Sequence, residues 1–207
     1  MKNNTKPTKA ESYINPEEKM LFDEIEKELF HEASPGHFIK KEEPLTIDPN
    51  EACYKVIATY IYGFQEYAEK IGKVTDINYV RQKFHKSMLH ESISTNNKFD
   101  IAIDLIQRGI DVDIQDYNGN TALHYLAGNI HQPGACQVFR LILEQNPNIN
   151  LLNKRGCSIL WLLVSYVGIN STDEEWSLIK KLVEMGADKS VLPEVFQEKL
   201  ELILDMK

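Results

Sequence analysis

DYNGNTALHYLA, Asp116 to Ala127, sets a turn, a helix start and an imidazole within a few residues of one another. Whether His124 performs chemistry or braces a structure separates an enzyme from a binding module. Its neighbours Tyr125, Leu126 and Ala127 offer neither a nucleophile nor an orienting carboxylate. The answer therefore lies in how the stretch recurs along the chain.

Two further segments align with it. KSMLHESI (Lys86 to Ile93), NTALHYLA (Asn120 to Ala127) and CSILWLLV (Cys157 to Val164) place Leu89, Leu123 and Leu160 at separations of 34 and 37 residues. That is the range of two-helix solenoid units. Each segment is followed by a second apolar one, IAIDLIQ (101–107), VFRLILE (138–144) and LIKKLVE (178–184), and then by RGIDVD, QNPNIN or MGADKS. Gly109 and Gly186 stand where a helix stops in a left-handed cap, and Asn146, the next most tolerant residue, replaces glycine in the middle copy. The pattern predicts three copies of helix, loop, helix and cap.

The middle copy, with Asp116, Gly119, Thr121, Leu123, His124 and Ala127, strongly resembles the ankyrin repeat; Ala122 stands in place of that family's proline. The first copy keeps Ser87, Leu89, His90 and Gly109, but has Gln82 and His85 where the aspartate and glycine of the opening turn belong. The third keeps Gly156, Ser158, Leu160, Gly186, Ala187 and Asp188, with Asn153 for the aspartate and Trp161 for the histidine, as in a terminal repeat. The resemblance covers roughly residues 82–190 and implies an all-α ankyrin solenoid of helix-turn-helix units. It makes Ser87, His90, Gly109, Gly119, Thr121, His124, Gly156 and Gly186 structural, with His90 and His124 in helix-start hydrogen-bond networks.

Outside the repeats the chain also reads as helical. Residues 1–14 are expected to be a flexible tail, 15–81 an N-terminal helical cap whose helices are either a cap or degenerate repeats, and 191–207 a C-terminal capping helix. Asn15-Pro16-Glu17-Glu18 starts one helix, with Leu21, Phe22, Ile25 and Leu29 on one face, and Ser34-Pro35-Gly36 ends it. Asp48-Pro49-Asn50-Glu51 starts another, and Cys53, Val56, Ile57, Tyr60, Ile61, Phe64, Ala68 and Ile71 predict one long helix closed by Gly72. Tyr62 lies nearly opposite that stripe. At the far end Pro193 opens a helix with Phe196, Leu200, Ile203 and Leu204 on one side and Gln197, Lys199, Glu201 and Asp205 on the other.

Composition bounds the function. The chain has 207 residues, 43% hydrophobic and 26% charged, with a net charge of −8. That charge opposes nonspecific binding to nucleic-acid phosphates and anionic membranes and attracts a basic partner. Cys53, Cys136 and Cys157 are too few and too scattered for a disulfide framework, which fits a reducing cytoplasm. No secretory apolar run follows MKNNTKPTKAES, and the longest apolar block, Ile159 to Val164, cannot span a bilayer. A soluble, cytoplasmic chain is the expectation.

No metal or cofactor is expected. His85 and His90 are five residues apart, off a common helical face, and the HE pairs at His31 and His90 lack the second histidine of a zinc-peptidase helix. The glycines form no phosphate loop. Lys73, Arg81, Lys83 and Lys86, with Tyr79 and Phe84 between, resemble a basic patch with stacking rings, but Val80 and Phe84 have core spacing.

Ankyrin arrays engage proteins through turn tips and first helices. The resemblance accordingly puts partner contacts at Ile114, Gln115, Tyr117 and Asn118 on one tip and Leu151, Leu152, Lys154 and Arg155 on the next, with Glu91, Tyr125 and Leu162 facing the groove. The function expected is noncatalytic protein binding. By analogy it extends to a bacterial immunity protein neutralising a basic cognate toxin; the alternatives are an adaptor or secreted effector gripping a host protein, or an enzyme with an N-terminal site. Oligomeric state is left open.

Overall fold

Several helices in this chain begin where a side-chain oxygen captures an amide that the first turn leaves free. A computed structural model describes residues 47–59, 62–94, 98–168 and 171–205, all within the compact unit Thr46–Lys207. The expected tail (1–14), the helix from Asn15 and the apolar positions Tyr60 and Ile61 lie outside the described residues. The described helices are α1 (Pro49–Ala58), α2 (Phe64–Ile71), α3 (Met88–Ser94), α4 (Phe99–Gln107), α5 (Ala122–Gly128), α6 (Ala135–Leu143), α7 (Ile159–Tyr166), α8 (Asp173–Glu184) and α9 (Glu194–Asp205). Asp48 Oδ1 accepts from the Asn50 amide at 2.7 Å, Ser158 Oγ from Trp161 at 3.1 Å and Thr172 Oγ1 from Glu175 at 3.3 Å, each closing a first turn.

The fold is an all-α ankyrin-type solenoid of paired helices. α1, α3, α5 and α7 pack in sequence as an inner row, and α2, α4, α6 and α8 as an outer row. Between the rows Ile57, Leu89, Ile101, Leu105, Leu123, Leu126, Phe139, Ile142, Leu163 and Ile179 are all but inaccessible to water. Each apolar stripe is covered by the unit beside it, so the core is continuous although no single hairpin could bury its own. α9 covers the last unit: Leu200 and Ile203 are buried, and Phe196 meets Trp161 with ring centroids 6.5 Å apart.

The single helix expected over 48–71 is instead two. α1 ends at Ala58, Thr59 is extended, and Gly63 caps α2 with its amide bonded to the Glu66 carboxylate at 3.0 Å. The break lets α1 pack on α3 while α2 packs on α4, which a straight rod could not do. Its cause lies far along the chain. Lys98 Nζ donates to Ile57 O at the end of α1 (3.0 Å), an acceptor that a terminating helix leaves open, and to Tyr62 O just before α2 (2.8 Å). Phe64 is left 43% exposed rather than in the core stripe. Lys199, expected to face outward, is used in the same way: its ammonium donates to Val164 O and Val167 O, ending α7.

Beside the helices, side chains and amides alternate in a hydrogen-bonded ladder. The Asp76 amide donates to Asn50 Oδ1 (3.0 Å), Asn78 to Asp76 Oδ1 (2.9 Å) and Asp111 to Asn78 Oδ1 (2.7 Å). Asp113 donates to Asp111 Oδ1 (2.9 Å), Asn148 to Asp113 Oδ1 (3.0 Å) and Asn150 to Asn148 Oδ1 (3.3 Å). Asp188 to Asn150 Oδ1 and Ser190 to Asp188 Oδ1, both 2.8 Å, complete it. A short polar side chain that bonds two residues ahead makes each local turn, and the next one bonds across to the following unit.

Directly after the ladder residues in each unit come the hairpin tips. β1 (Val80–Arg81) and β2 (Lys86–Ser87) pair antiparallel. Gly119 and Gly156 are left-handed at the later tips (φ 77° and 76°), and His85 takes that conformation at the first (φ 53°). The opening turn therefore forms without its glycine. The backbone is also left-handed at the caps Gly109, Asn146 and Gly186 (φ 81°, 53° and 89°).

Two stability measurements check this account. Gly109→Ala should cost roughly 1–2 kcal/mol, since a Cβ there meets nothing within 4 Å and only the backbone angle is strained. Gly119→Ala should cost more, about 3 kcal/mol, because its Cβ would lie 3.0 Å from the Lys154 amide nitrogen and 3.1 Å from Asn153 Cα as well. In urea titrations Lys98→Met should lose about 2 kcal/mol by stripping the end of α1 of its ammonium donor.

Candidate protein-interaction surface

The tips are held to one another by backbone and side chain together. Asp116 Oδ1 accepts from the Asn118 and Asn120 amides, both at 2.8 Å, and Asn153 Oδ1 repeats this with Arg155 (2.9 Å) and Cys157 (3.0 Å). The Tyr117 amide donates to Phe84 O at 3.0 Å and the Lys154 amide to Asn118 O at 2.9 Å, so three successive tips are joined in a row.

Behind the tips stand the two imidazoles. The Ser87 amide donates to His90 Nδ1 at 3.2 Å, with Ser87 Oγ 2.8 Å away, which leaves the Nε2 proton for Asn120 O at 2.9 Å. Thr121 and His124 repeat this at 3.1 and 2.9 Å, with Nε2 at 3.3 Å from Cys157 O. Each ring thus ties its own helix start to the tip of the next unit. Desolvation lowers both values from the ordinary imidazole range, His90 to about 4, because a buried imidazolium would have no compensating water. At Trp161, where the copy ends in α9 rather than another tip, an indole packs on Phe196 instead. At the corresponding position of α1, Glu51 accepts from Tyr79 OH at 2.6 Å.

The groove positions are engaged within the molecule. Glu91 accepts from Tyr54 OH at 2.9 Å and lies 3.9 Å from Lys86 Nζ, which also stands 5.1 Å over the Tyr125 ring. Tyr125 OH donates to Asp116 Oδ2 at 2.8 Å. Burial first, and then the adjacent carboxylates, hold the Tyr54 and Tyr125 phenols well above their usual value, so both remain proton donors. Leu162 is half-buried on α7, and Ile114, Gln115 and Leu151 are half-buried where the tips join the body. Gln115 Nε2 donates to Gly119 O at 2.7 Å and Leu152 O at 3.1 Å.

The fully presented residues are Tyr117 (67% exposed), Leu152 (44%), Asn118, Lys154 and Arg155. To these the structure adds Lys83 and Phe84. Core spacing assigned Phe84 inward, but it sits at the first tip, 44% exposed, because the strand pair reverses the chain on either side of it. The signal available was the repeat register, in which Gln82 and His85 occupy the places of Asp116 and Gly119 in the next copy. An open depression of about 650 Å3 lies elsewhere, on the outer row, between α6 and α8, with Arg140, Glu144, Lys181 and Glu184 on its wall.

Desolvation pushes the Cys53 and Cys136 thiols up to about 11, so both are protonated. Among the described residues no cluster of three or more His, Cys, Asp or Glu side chains is placed to hold a metal ion, and no helix is long and apolar enough to cross a membrane.

Paired helices, joined tips and bridging imidazoles define a repeat protein built for binding. The ankyrin-repeat family model matches residues 118–154. Over 100 residues the chain is 32% identical to an ankyrin repeat protein of fowlpox virus (strain NVSL), covering 48% of this chain. The match spans only 21% of that protein's length. Residues 118–154 are thus an ankyrin repeat within a helical repeat array, and ankyrin repeats are protein–protein interaction modules.

The imidazoles give a measurable pH dependence. His90 titrates near 4 when folded and near 6.5 when unfolded, so the unfolded chain takes up the proton first as pH falls. The stabilisation is complete above about pH 6.5 and is lost as pH drops towards about 4. Between pH 7 and pH 4, urea unfolding should show the wild type losing about 3 kcal/mol more than His90→Gln, which starts less stable but lacks this titration.

Proposed function

We propose that this chain is a noncatalytic binding module that recognises a partner protein through its tips, with Tyr117 and Leu152 as anchors and Asn118, Lys154 and Arg155 around them. In this reading residues 49–79 serve as a degenerate first unit, extending the tip row to Lys83 and Phe84, while 191–207 cap the far end. The observation that carries the reading is the exposure of Tyr117. It is a large ring, 67% open to solvent, on a tip fixed by Asp116 and tied to its neighbours on both sides. A rigid exposed aromatic buries much area at little entropic cost when a partner arrives.

Glu91, Tyr125, Ile114, Gln115, Leu151 and Leu162 take a supporting role. Glu91 is bonded to Tyr54, Tyr125 to Asp116 and Gln115 to the Gly119 and Leu152 carbonyls, which fixes the groove floor and leaves direct contact mainly to the tips. A toxin-neutralising immunity protein and an adaptor or effector that grips a host protein would both use this surface. The two differ in the partner supplied, and the net charge of −8 favours faster encounter with a basic one.

Co-expression with the product of the adjacent gene tests the reading. A complex should form that Tyr117→Ala weakens at least tenfold, about 1.4 kcal/mol, without lowering the melting temperature. A complex indifferent to Tyr117→Ala and Leu152→Ser would remove the tips from the interface. Rescue of cells from that product would assign the immunity role.

A further inference from the structure

The charge at the tips runs against the charge of the molecule. The chain carries −8 overall, yet the outward positions of the three joined tips are Lys83 and Phe84, Tyr117 and Asn118, and Lys154 and Arg155. None of Lys83, Lys154 and Arg155 forms an ion pair with a carboxylate among the described residues. The acidic side chain at the tips, Asp116, is turned inward. It is 6% exposed, and its oxygens are taken by two amides and the Tyr125 hydroxyl. The basic residues nearer the body, Arg81 and Lys86, differ: they lie near the carboxylates of Glu51 and Glu91.

The free cations are coupled to the exposed rings. Lys154 Nζ stands 3.9 Å from the Tyr117 ring centroid and Lys83 Nζ 5.4 Å from that of Phe84. An ammonium laid on a ring is held at the tip while most of its donors still face water. The arrangement is a ridge of aromatic area topped by unneutralised positive charge, with Leu152 (44% exposed) beside it.

From this ridge, and resting on the binding reading above, we infer that the tips receive an acidic segment of the partner protein. Its carboxylates meet Lys83, Lys154 and Arg155, and its intervening apolar side chains lie on Phe84, Tyr117 and Leu152. Local complementarity sets where and in which register the segment docks, because charge pairs act over a few ångströms, while the field of the whole chain is screened within about 8 Å at physiological salt. The same ridge could stack single-stranded nucleic acid, but a protein segment is favoured. A base would need the Tyr117 face on which the Lys154 ammonium already lies.

The test uses the whole chain and three probes of equal length: a peptide of about a dozen residues alternating Glu and Leu, its Lys and Leu counterpart, and an oligothymidylate. Fluorescence anisotropy measures affinity, and amide chemical shifts locate the site. The Glu peptide should bind, shift residues 83–84, 117–118, 152 and 154–155, and weaken as salt is raised. Lys83→Glu/Lys154→Glu/Arg155→Glu should reduce its affinity at least tenfold, and the corresponding triple methionine variant, which keeps the side-chain length without the charge, should fall between. Stronger binding of the Lys peptide or of the oligonucleotide at the ridge overturns the inference, as do shifts confined to other surfaces or triple variants that bind like the wild type. If the co-expressed partner depends on Tyr117 while the Glu peptide does not bind, the acidic segment falls and the binding module stands. If the partner binds but ignores Tyr117 and Leu152, the tips leave the interface and recognition through them falls.

Discussion

One proton on one ring nitrogen joins each central unit of this array to the next. The Nε2 proton of His90 is given to Asn120 O, and that of His124 to Cys157 O, while Nδ1 is held by the serine or threonine that starts the same helix. The two bonds together require a neutral ring, because an imidazolium would turn a second N–H onto the Ser87 or Thr121 amide, and burial is what keeps the ring neutral. A histidine meeting these conditions has both nitrogens committed and cannot serve as a base. The neutrality of each ring and its fixed orientation therefore share one cause, burial of the imidazole by the neighbouring unit.

How far the fold was legible depended on how local its causes were. The helix start at Thr121, the caps at Gly109 and Gly186 and the period between Leu89, Leu123 and Leu160 follow from residues close together in sequence. The break between α1 and α2 does not. A continuous apolar stripe masks it, and the ammonium that stabilises it comes from Lys98, about forty residues downstream. Lys199 was assigned to solvent by the same logic, since helical periodicity records which way a side chain leaves its own helix and not which carbonyl a long flexible stem can reach.

The tips show the same limit at the site. Tyr117, Lys154 and Arg155 were visible because the repeat motif numbers the turn for the reader. Lys83 and Phe84 were hidden because the first turn lacks its glycine, and His85 adopts the left-handed conformation without the residue that normally announces it. Net charge misled in a related way. It averages over surfaces, whereas a partner meets one of them, and here the surface that projects farthest from the helices is opposite in sign to the sum.

The ladder from Asn50 to Ser190 carries a consequence for how the molecule ages. Asparagine side chains slowly lose ammonia and become carboxylates, yet at Asp113 the ladder already uses a carboxylate as its acceptor. Conversion of Asn78 to aspartate would keep the oxygen that receives the Asp111 amide, and the rung would survive chemically altered. Asn150 is different, because its amide nitrogen also donates to Gly186 O at 3.2 Å, a bond that no carboxylate can make at neutral pH. Wear at Asn150 would thus strip a tie to the last unit, whereas wear at Asn78 leaves its rung in place.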